Sequence, residues 1–199
     1  MSPKRKLDPE ARRGELEAAA MQVFMHKGVA RTAVSDIVKA AGVAQGTFYL
    51  YFESKTHIIN AVVDRMVDGM VDAIEQAVRA TDSGAVDRLL AFRDTLLSAV
   101  EDPATRELTE IYHRPENRAV HDRMAQRIAP RLVPIMEGIV RDGVREGVFT
   151  VDDPRTAALF VLGGFQVMEH GFSHPEEMGQ AMSVATRCAL RALGHGGTP

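Results

Sequence analysis

Between residues 45 and 55 the chain sets an amide, a glycine, a hydroxyl, two phenols and an ammonium in close order: Gln45, Gly46, Thr47, Tyr49, Tyr51 and Lys55. These groups suit recognition better than bond-making. A Gln amide pairs with adenine in a bidentate way, and a Thr methyl meets the methyl of thymine. Phenolic hydroxyls and an ammonium suit phosphate oxygens. Gly46 would cost about 1 kcal/mol relative to Ala inside a helix, so its presence there implies that a phosphate or base edge comes close to the backbone. Lys55 follows Ser54, a residue type that caps helices, and would stand beside backbone N–H groups that favour anions.

The elements that must position these groups read as short helices. Apolar residues at Leu16, Ala19, Ala20, Val23 and Phe24 fall at three- and four-residue spacing, with Arg12, Arg13, Glu15 and Glu17 on the other face, which predicts a helix over Leu16 to His26 stopped at Lys27-Gly28. Thr32 stands where an N-cap is needed, its hydroxyl placed to accept from the N–H of Val34 or Ser35. Val34, Ile37, Val38 and Ala41 then form a buried stripe. Gly42 supplies the turn through a positive φ. The next helix, Ala44 to Leu50, is about two turns, well short of the roughly 12–15 residues an isolated helix needs in water. It must be held by packing through Val43, Phe48 and Phe52. A further helix starts at Ser54. Two short helices about a glycine turn are helix-turn-helix grammar, and that grammar implies DNA. The same spacing also suits an ordinary helical core, in which Tyr49 and Tyr51 pack with hydrated tips. Tyr51, beside Phe52, fits half-buried packing as well as phosphate contact, and Ser35 fits a capping role as well as a DNA contact.

Gly42-Val43, Gly46-Thr47-Phe48-Tyr49, Tyr51-Phe52 and Lys55 together resemble the DNA-binding signature of the TetR (tetracycline repressor) family of bacterial regulators, over roughly residues 10–60. That resemblance implies an all-α chain of about nine helices: a three-helix DNA-binding head over 1–55 and a helical effector-binding and dimerisation domain over 56–199. It also implies that Thr32 and Ser35 touch the DNA backbone or flanking bases, that Gln45, Gly46 and Thr47 enter the major groove, and that Tyr49, Tyr51 and Lys55 grip phosphates. Ala33 and Ala44 depart from the pattern, standing where the family often has Ser or Thr. Thr56-His57 replaces a pair that is often acidic.

Charge is distributed in the same sense. Residues 1–56 carry nine Lys or Arg against six Asp or Glu, a net +3 in a chain whose total is −3, so the remainder holds −6. A basic head on an acidic body presents the head to a polyanion. The Lys4-Arg5-Lys6 arm suits either a solubilising tail or a reach along phosphates into a minor groove.

The rest of the chain is bounded more loosely. Its 199 residues are 45% apolar, enough for a sizeable core. It has no apolar run of about 18 residues, so no membrane partner is expected and the protein is expected in the cytoplasm. Cys188 is alone, so it forms no intrachain disulfide; it lies among apolar residues and is expected to be buried.

Helical periodicity continues to the end. A long helix from Ser54 to about Ala80 carries Ile58, Ala61, Val62, Met66, Met70, Ala73, Ile74 and Ala77 as its stripe and links head to body. Further helices are predicted at about 84–101, 103–112, 116–146, 152–170 and 175–193. Asp152 or Asp153 caps the fourth of these and Pro154 suits its first turn. Pro130 and Pro134 predict a kink or break in the third. The last two helices have broad faces of small apolar residues, including Ala158, Val161, Gly164, Met178, Ala181, Met182, Ala185 and Ala189, and the surplus invites a partner. In the resembled family the last two helices pair with their copies, and a two-fold dimer matches a palindromic operator.

The resemblance further implies a small-molecule effector site in the middle of the chain. Phe92, Leu96, Tyr112, His113, Met124, Met136, Phe165 and Met168 can line it, although Met and aromatic residues at helical spacing also make plain core. Arg114, Arg118 and Arg123 suit an anionic effector or a salt-bridged surface. Glu169, His170 and His174 lack the further Cys or His of a strong metal site, and neither metal nor cofactor is expected. No Walker A loop, G-x-S-x-G elbow, H-E-x-x-H or cysteine set points to an enzyme. The reading is an effector-released repressor binding a palindromic operator as a homodimer. A regulator of the same fold without an effector, and a helical protein-interaction module, fit the same residues.

Overall fold

A computed structural model describes residues 8–101, 118–171 and 175–196, with side chains for 8–98, 126–166 and 179–196. Among the described residues the secondary structure is all helical: α1 Pro9–Lys27, α2 Val34–Ala40, α3 Gln45–Tyr49, α4 Lys55–Ala80, α5 Ala85–Glu101, α6 Arg118–Arg145, α7 Pro154–Gly171 and α8 Pro175–Ala192. The helix expected at 103–112 lies outside the described residues. The chain packs as two compact units, and it passes from the first to the second within α4, between Val67 and Asp68.

In the first unit α1 begins seven residues before its expected start, with Pro9 in its first turn. The early turns are polar and carry no apolar period, which hides them from a pattern search. Leu16, Ala20 and Phe24 from α1, Ile37 and Val38 from α2, Phe48 from α3, Phe52, and Ile58 and Val62 from α4 close into one buried cluster. Glu17, expected on the solvent face, is 9% exposed. Its carboxylate accepts from Arg13 Nε at 3.1 Å and from Arg65 Nη1, on α4, at 3.2 Å. Arg13 also stacks its guanidinium 4.7 Å from the centre of the Phe52 ring. The two cations compensate the desolvation of the carboxylate and tie α1 to α4.

The buried residues of α4 are Ile58, Val62, Val63, Val67, Val71 and Ile74. The expected stripe therefore shifts: Ala73 is exposed, and Met66, Met70, Ala61 and Ala77 are only half-buried. Val63, Val67 and Val71 take those places because β-branched side chains fill the inward face of this helix more fully than alanine does.

In the second unit α8 packs along α7 and against α5. Leu89 and Phe92 of α5, Met136, Ile139 and Val140 of α6, Phe149 in the loop that follows, Val161 and Phe165 of α7, Met182 and Leu190 of α8, and Leu193 just beyond it are all buried. Arg88 of α5 donates to Asp142 and Glu146 of α6, each at 2.6 Å, and Glu146 also accepts the N–H of Ala85 at 2.7 Å, capping α5 from another helix. Gly143 is required where Phe149 lies against α6, since a Cβ there would fall 2.0 Å from the ring. Asp153 supplies the cap of α7, accepting the N–H of Arg155 at 3.0 Å and the hydroxyl of Thr156 at 2.7 Å. These bonds hold its carboxyl below the usual aspartate range, the Thr156 hydroxyl first among them.

Of the kink or break expected at the prolines of α6 the break is absent, and the expected burial of Cys188 is corrected. α6 runs unbroken through Pro130 and Pro134. Each proline removes one rung of the helical ladder, but Gln126, Pro130 and Pro134 share an exposed face, where water can satisfy the freed carbonyls. Cys188 is exposed, not buried. The inward positions of α8 are Met182, Thr186, Ala189 and Leu190, and Cys188 falls opposite them. No helix among the described residues is long and apolar enough to cross a membrane.

Candidate nucleic-acid interface

The first helix of the motif, α2, starts without a side-chain cap of its own. Ala33 occupies the N-cap with extended backbone, φ −100° and ψ 159°. Asp36 compensates from inside the first turn, one carboxylate oxygen accepting the N–H of Ala33 at 2.8 Å and Lys27 Nζ at 2.6 Å. The Lys27 hydrogen bond, then the Ala33 N–H, hold the Asp36 carboxyl below its ordinary range. Thr32 therefore does not cap the helix. It is 2% exposed and donates its hydroxyl to the carbonyl of Gly28 at 2.7 Å, which also turns it away from any ligand. The cap sits one residue later than expected because the Thr32 hydroxyl is better used closing the loop after α1. Ser35, in the first turn of α2, is exposed.

Gly42 makes the turn with φ 65°, a left-handed conformation that a side chain rarely adopts. α3 has only five residues, with Ala44 as its extended N-cap, and one of them, Phe48, is fully buried. Phe48 meets Phe52 with ring centres 5.6 Å apart. The helix is thus fixed by a single anchoring side chain, and the rest of its surface is free. Gln45, Gly46 and Tyr49 are exposed and Thr47 is half-exposed. Beyond its chain neighbours and the backbone of its own helix, nothing lies within 4 Å of where a Cβ on Gly46 would be, so packing against the rest of the chain gives no reason for glycine there.

Beyond α3 the candidate residues have second duties. Tyr51 is half-buried and packs against the core of the unit. Ser54 caps α4, its hydroxyl accepting the N–H of His57 at 3.1 Å. Lys55 donates from Nζ to the carbonyl of Ala30 at 3.1 Å, bringing the first turn of α4 onto the loop before α2. Its partial burial lowers its pKa from the usual lysine value. An ammonium has three donors, so two remain for another acceptor.

Leu50, which the residue pattern did not single out, is 80% exposed at the C-cap of α3, beside Tyr49 at 54%. The available signal was its place off the four-residue stripe of Phe48 and Phe52. The face thus combines an amide, a bare stretch of backbone, a phenol and an apolar side chain around one short helix. That combination fits the floor and walls of a nucleic-acid groove.

Comparison with known proteins places this head. Residues 16–62 match the family model described as bacterial regulatory proteins, tetR family. The regulator TtgR of Pseudomonas putida, an HTH-type transcriptional regulator, is 33% identical over 113 residues, covering 54% of this chain and 52% of its own length. Over these residues the chain is similar to the N-terminal DNA-binding domain of the TetR family. The chain spans about half the length, or less, of the curated relatives it matches first.

The TetR fold extends further. A TetR-family regulator from Pectobacterium atrosepticum superimposes with a TM-score of 0.74 at 23% identity, covering 96% of this chain and 97% of that one. The regulator FadR of Bacillus subtilis, solved in complex with stearoyl-CoA, gives 0.66 at 20% identity, covering 87% and 97%. Against the TetR pattern, the missing hydroxyls at Ala33 and Ala44 are half replaced: Asp36 does the work at α2, whereas no side chain caps α3.

Of the remaining candidate residues, those whose side chains are described lie in the second unit. Phe92, Met136 and Phe165 are buried in its core and Leu96 is half-buried. Tyr112 and His113 lie outside the described residues, as do the side chains of Met124, Met168 and Met178. Of the residues expected at a dimer interface, Ala158, Val161, Met182 and Ala189 are buried within the protomer, Ala181 and Ala185 are half-buried, and Gly164 is exposed. The first four belong to the inward faces of α7 and α8. The outward faces instead present Leu159, Phe160, Gly163, Gly164, Val184 and Cys188.

Proposed function

We propose that this chain is a DNA-binding transcriptional regulator acting as a homodimer, most simply a repressor that a small-molecule effector releases from a palindromic operator. The observation that carries the DNA reading is the free surface of α3: Gln45, Gly46 and Tyr49 are exposed around one buried anchor. Gln45 and Thr47 read bases; Ser35, Tyr49 and the spare donors of Lys55 position the backbone. Gly46 admits the DNA to the helix surface.

The dimer forms through the outward faces of α7 and α8, where Phe160, 68% exposed, and Leu159 and Val184, each 49% exposed, remain in water on the single chain. A two-fold axis there pairs two heads with two half-sites. The effector reading rests on family likeness, the FadR structure with stearoyl-CoA being one instance among the structural neighbours. Its effect would follow from differential affinity: a ligand that favours the conformation with misplaced heads draws the population away from DNA.

Selection from a library of random duplexes at moderate salt tests this function. A recovered palindrome bound by dimers supports it, whereas retention of no duplex, even at low salt, would sink it in favour of an interaction module. On the recovered operator, Gln45→Ala should relax preference at one base position.

Gly46→Ala separates recognition from stability. Gly46 has negative φ and open space at its Cβ, so alanine should raise head stability by about 0.5–1 kcal/mol while weakening operator binding at least about tenfold through its methyl in the groove. Thermal melting and a binding isotherm check the two signs; a variant that binds as well as the parent would remove Gly46 from the interface.

A further inference from the structure

The basic side chains of the head are not equally available. Arg12 pairs with Glu15 and Arg13 with Glu17, Lys27 is held by Asp36, and Lys55 is pinned to the Ala30 carbonyl. Among the described residues two cations stand apart. Lys39, in the last turn of α2, is exposed and makes no ion pair among the described residues, its field reaching only as far as a secondary pull on Asp36. Arg31 is exposed and spends only its Nε, on the carbonyl of Lys27 at 3.0 Å, leaving the outer nitrogens of the guanidinium unpaired among the described residues.

Their placement is ordered. Ser35 and Lys39 are four residues apart on α2, hence on one face and about 6 Å apart along the axis. That face is exposed, while Ile37 and Val38 take the opposite side into the core. Arg31 leads into the N-terminus of α2, and the Lys55 bond to Ala30, its neighbour, brings this loop onto the first turn of α4. Arg31, Ser35 and Lys39 are thus exposed donors on α2 and the loop that leads into it, and α2 packs against α3.

We propose that Arg31 and Lys39 bind two phosphates of one DNA strand, on either side of Ser35, and so seat α2 across the backbone while α3 enters the groove. The assignment rests on the DNA reading above. A helix-turn-helix lays its first helix across the backbone, and such contacts fix register without carrying sequence information. Arg31 offers a planar pair of donors and Lys39 a mobile point charge, which suits one fixed and one adjustable phosphate contact.

The test uses the full chain, with the selected palindrome and a scrambled duplex of equal length, titrated between about 50 and 300 mM salt. Arg31→Ala with Lys39→Ala should make the slope of log K against log salt shallower by about 1.8 per head, and weaken both duplexes by roughly 10- to 100-fold at moderate salt. Base preference should be unchanged. Arg31→Lys with Lys39→Arg should restore most of the slope, and Arg79→Ala, a cation of the second unit paired with Glu75, should leave it alone. If the parent binds and the double alanine variant keeps the parental slope, the phosphate assignment is wrong and the DNA reading survives. If the parent shows no salt-sensitive binding to either duplex, both fall.

Discussion

Phe160→Glu should convert the dimer to a folded monomer and with it abolish tight operator binding. Phe160 is 68% exposed on the single chain and flanked by Leu159, so its removal disturbs no core of the protomer. Burying such a ring is worth about 1.5–3 kcal/mol, and a two-fold axis counts it twice. A carboxylate in its place would also meet its own copy across the axis. Together these should raise the dimer dissociation constant by at least about a thousandfold. Sedimentation velocity at micromolar concentration reads the change directly, with far-ultraviolet circular dichroism showing that the helices persist. Operator binding should fall in step, because each head then pays separately for association. A variant that stays dimeric would move the interface off α7 and α8.

The second large effect lies in the head. Phe48→Ala should unfold the first unit selectively. Phe48 is fully buried, is the one buried residue of a five-residue helix, and packs against the tilted ring of Phe52. Truncating a core Phe costs about 3–5 kcal/mol. A unit of this size has only about 3–10 kcal/mol to lose. Heating the variant should therefore show an early transition carrying the head and a later one carrying the second unit, and amides of α2 and α3 should exchange as if unprotected. A single transition at the parental temperature would mean that α3 is held by something other than Phe48. DNA binding should vanish at every salt concentration, unlike the graded loss expected from a missing phosphate contact.

What was legible in the sequence was local chemistry. Gly42 announces its turn, Ser54 its cap and Asp153-Pro154 its helix start, because each acts within a few residues of itself. Phe48 and Phe52 were readable as anchors because a helix so short has no other means of support. Tertiary substitutions were not. Thr32 and Ala33 compete for one cap, and only the Gly28 carbonyl decides which way the hydroxyl turns. Glu17 reads as a surface residue until Arg65, 48 positions away, is brought to it. Lys55 reads as a free cation until Ala30 arrives beneath it. The faces of α7 and α8 were illegible for a different reason: alanine, glycine and cysteine carry little polarity, so their spacing does not say which side is inward. The large residues among them, Phe160 and Val184 outside against Phe165 and Leu190 inside, had to be seen in place.

Leu50 and Tyr49 leave a further mark on the protein. The head keeps a leucine at 80% exposure and a tyrosine at 54% in water at the end of α3, and both lie on the face assigned to the groove. Apolar surface of this kind orders water that leaves when the surface is covered, and its covering lowers the heat capacity of the complex below that of the parts. Ionic contacts alone give association an enthalpy that varies little with temperature. This head should instead bind with an enthalpy that becomes steadily more favourable on warming, so that salt weakens the complex through its phosphates while temperature acts on it through two side chains that carry no charge.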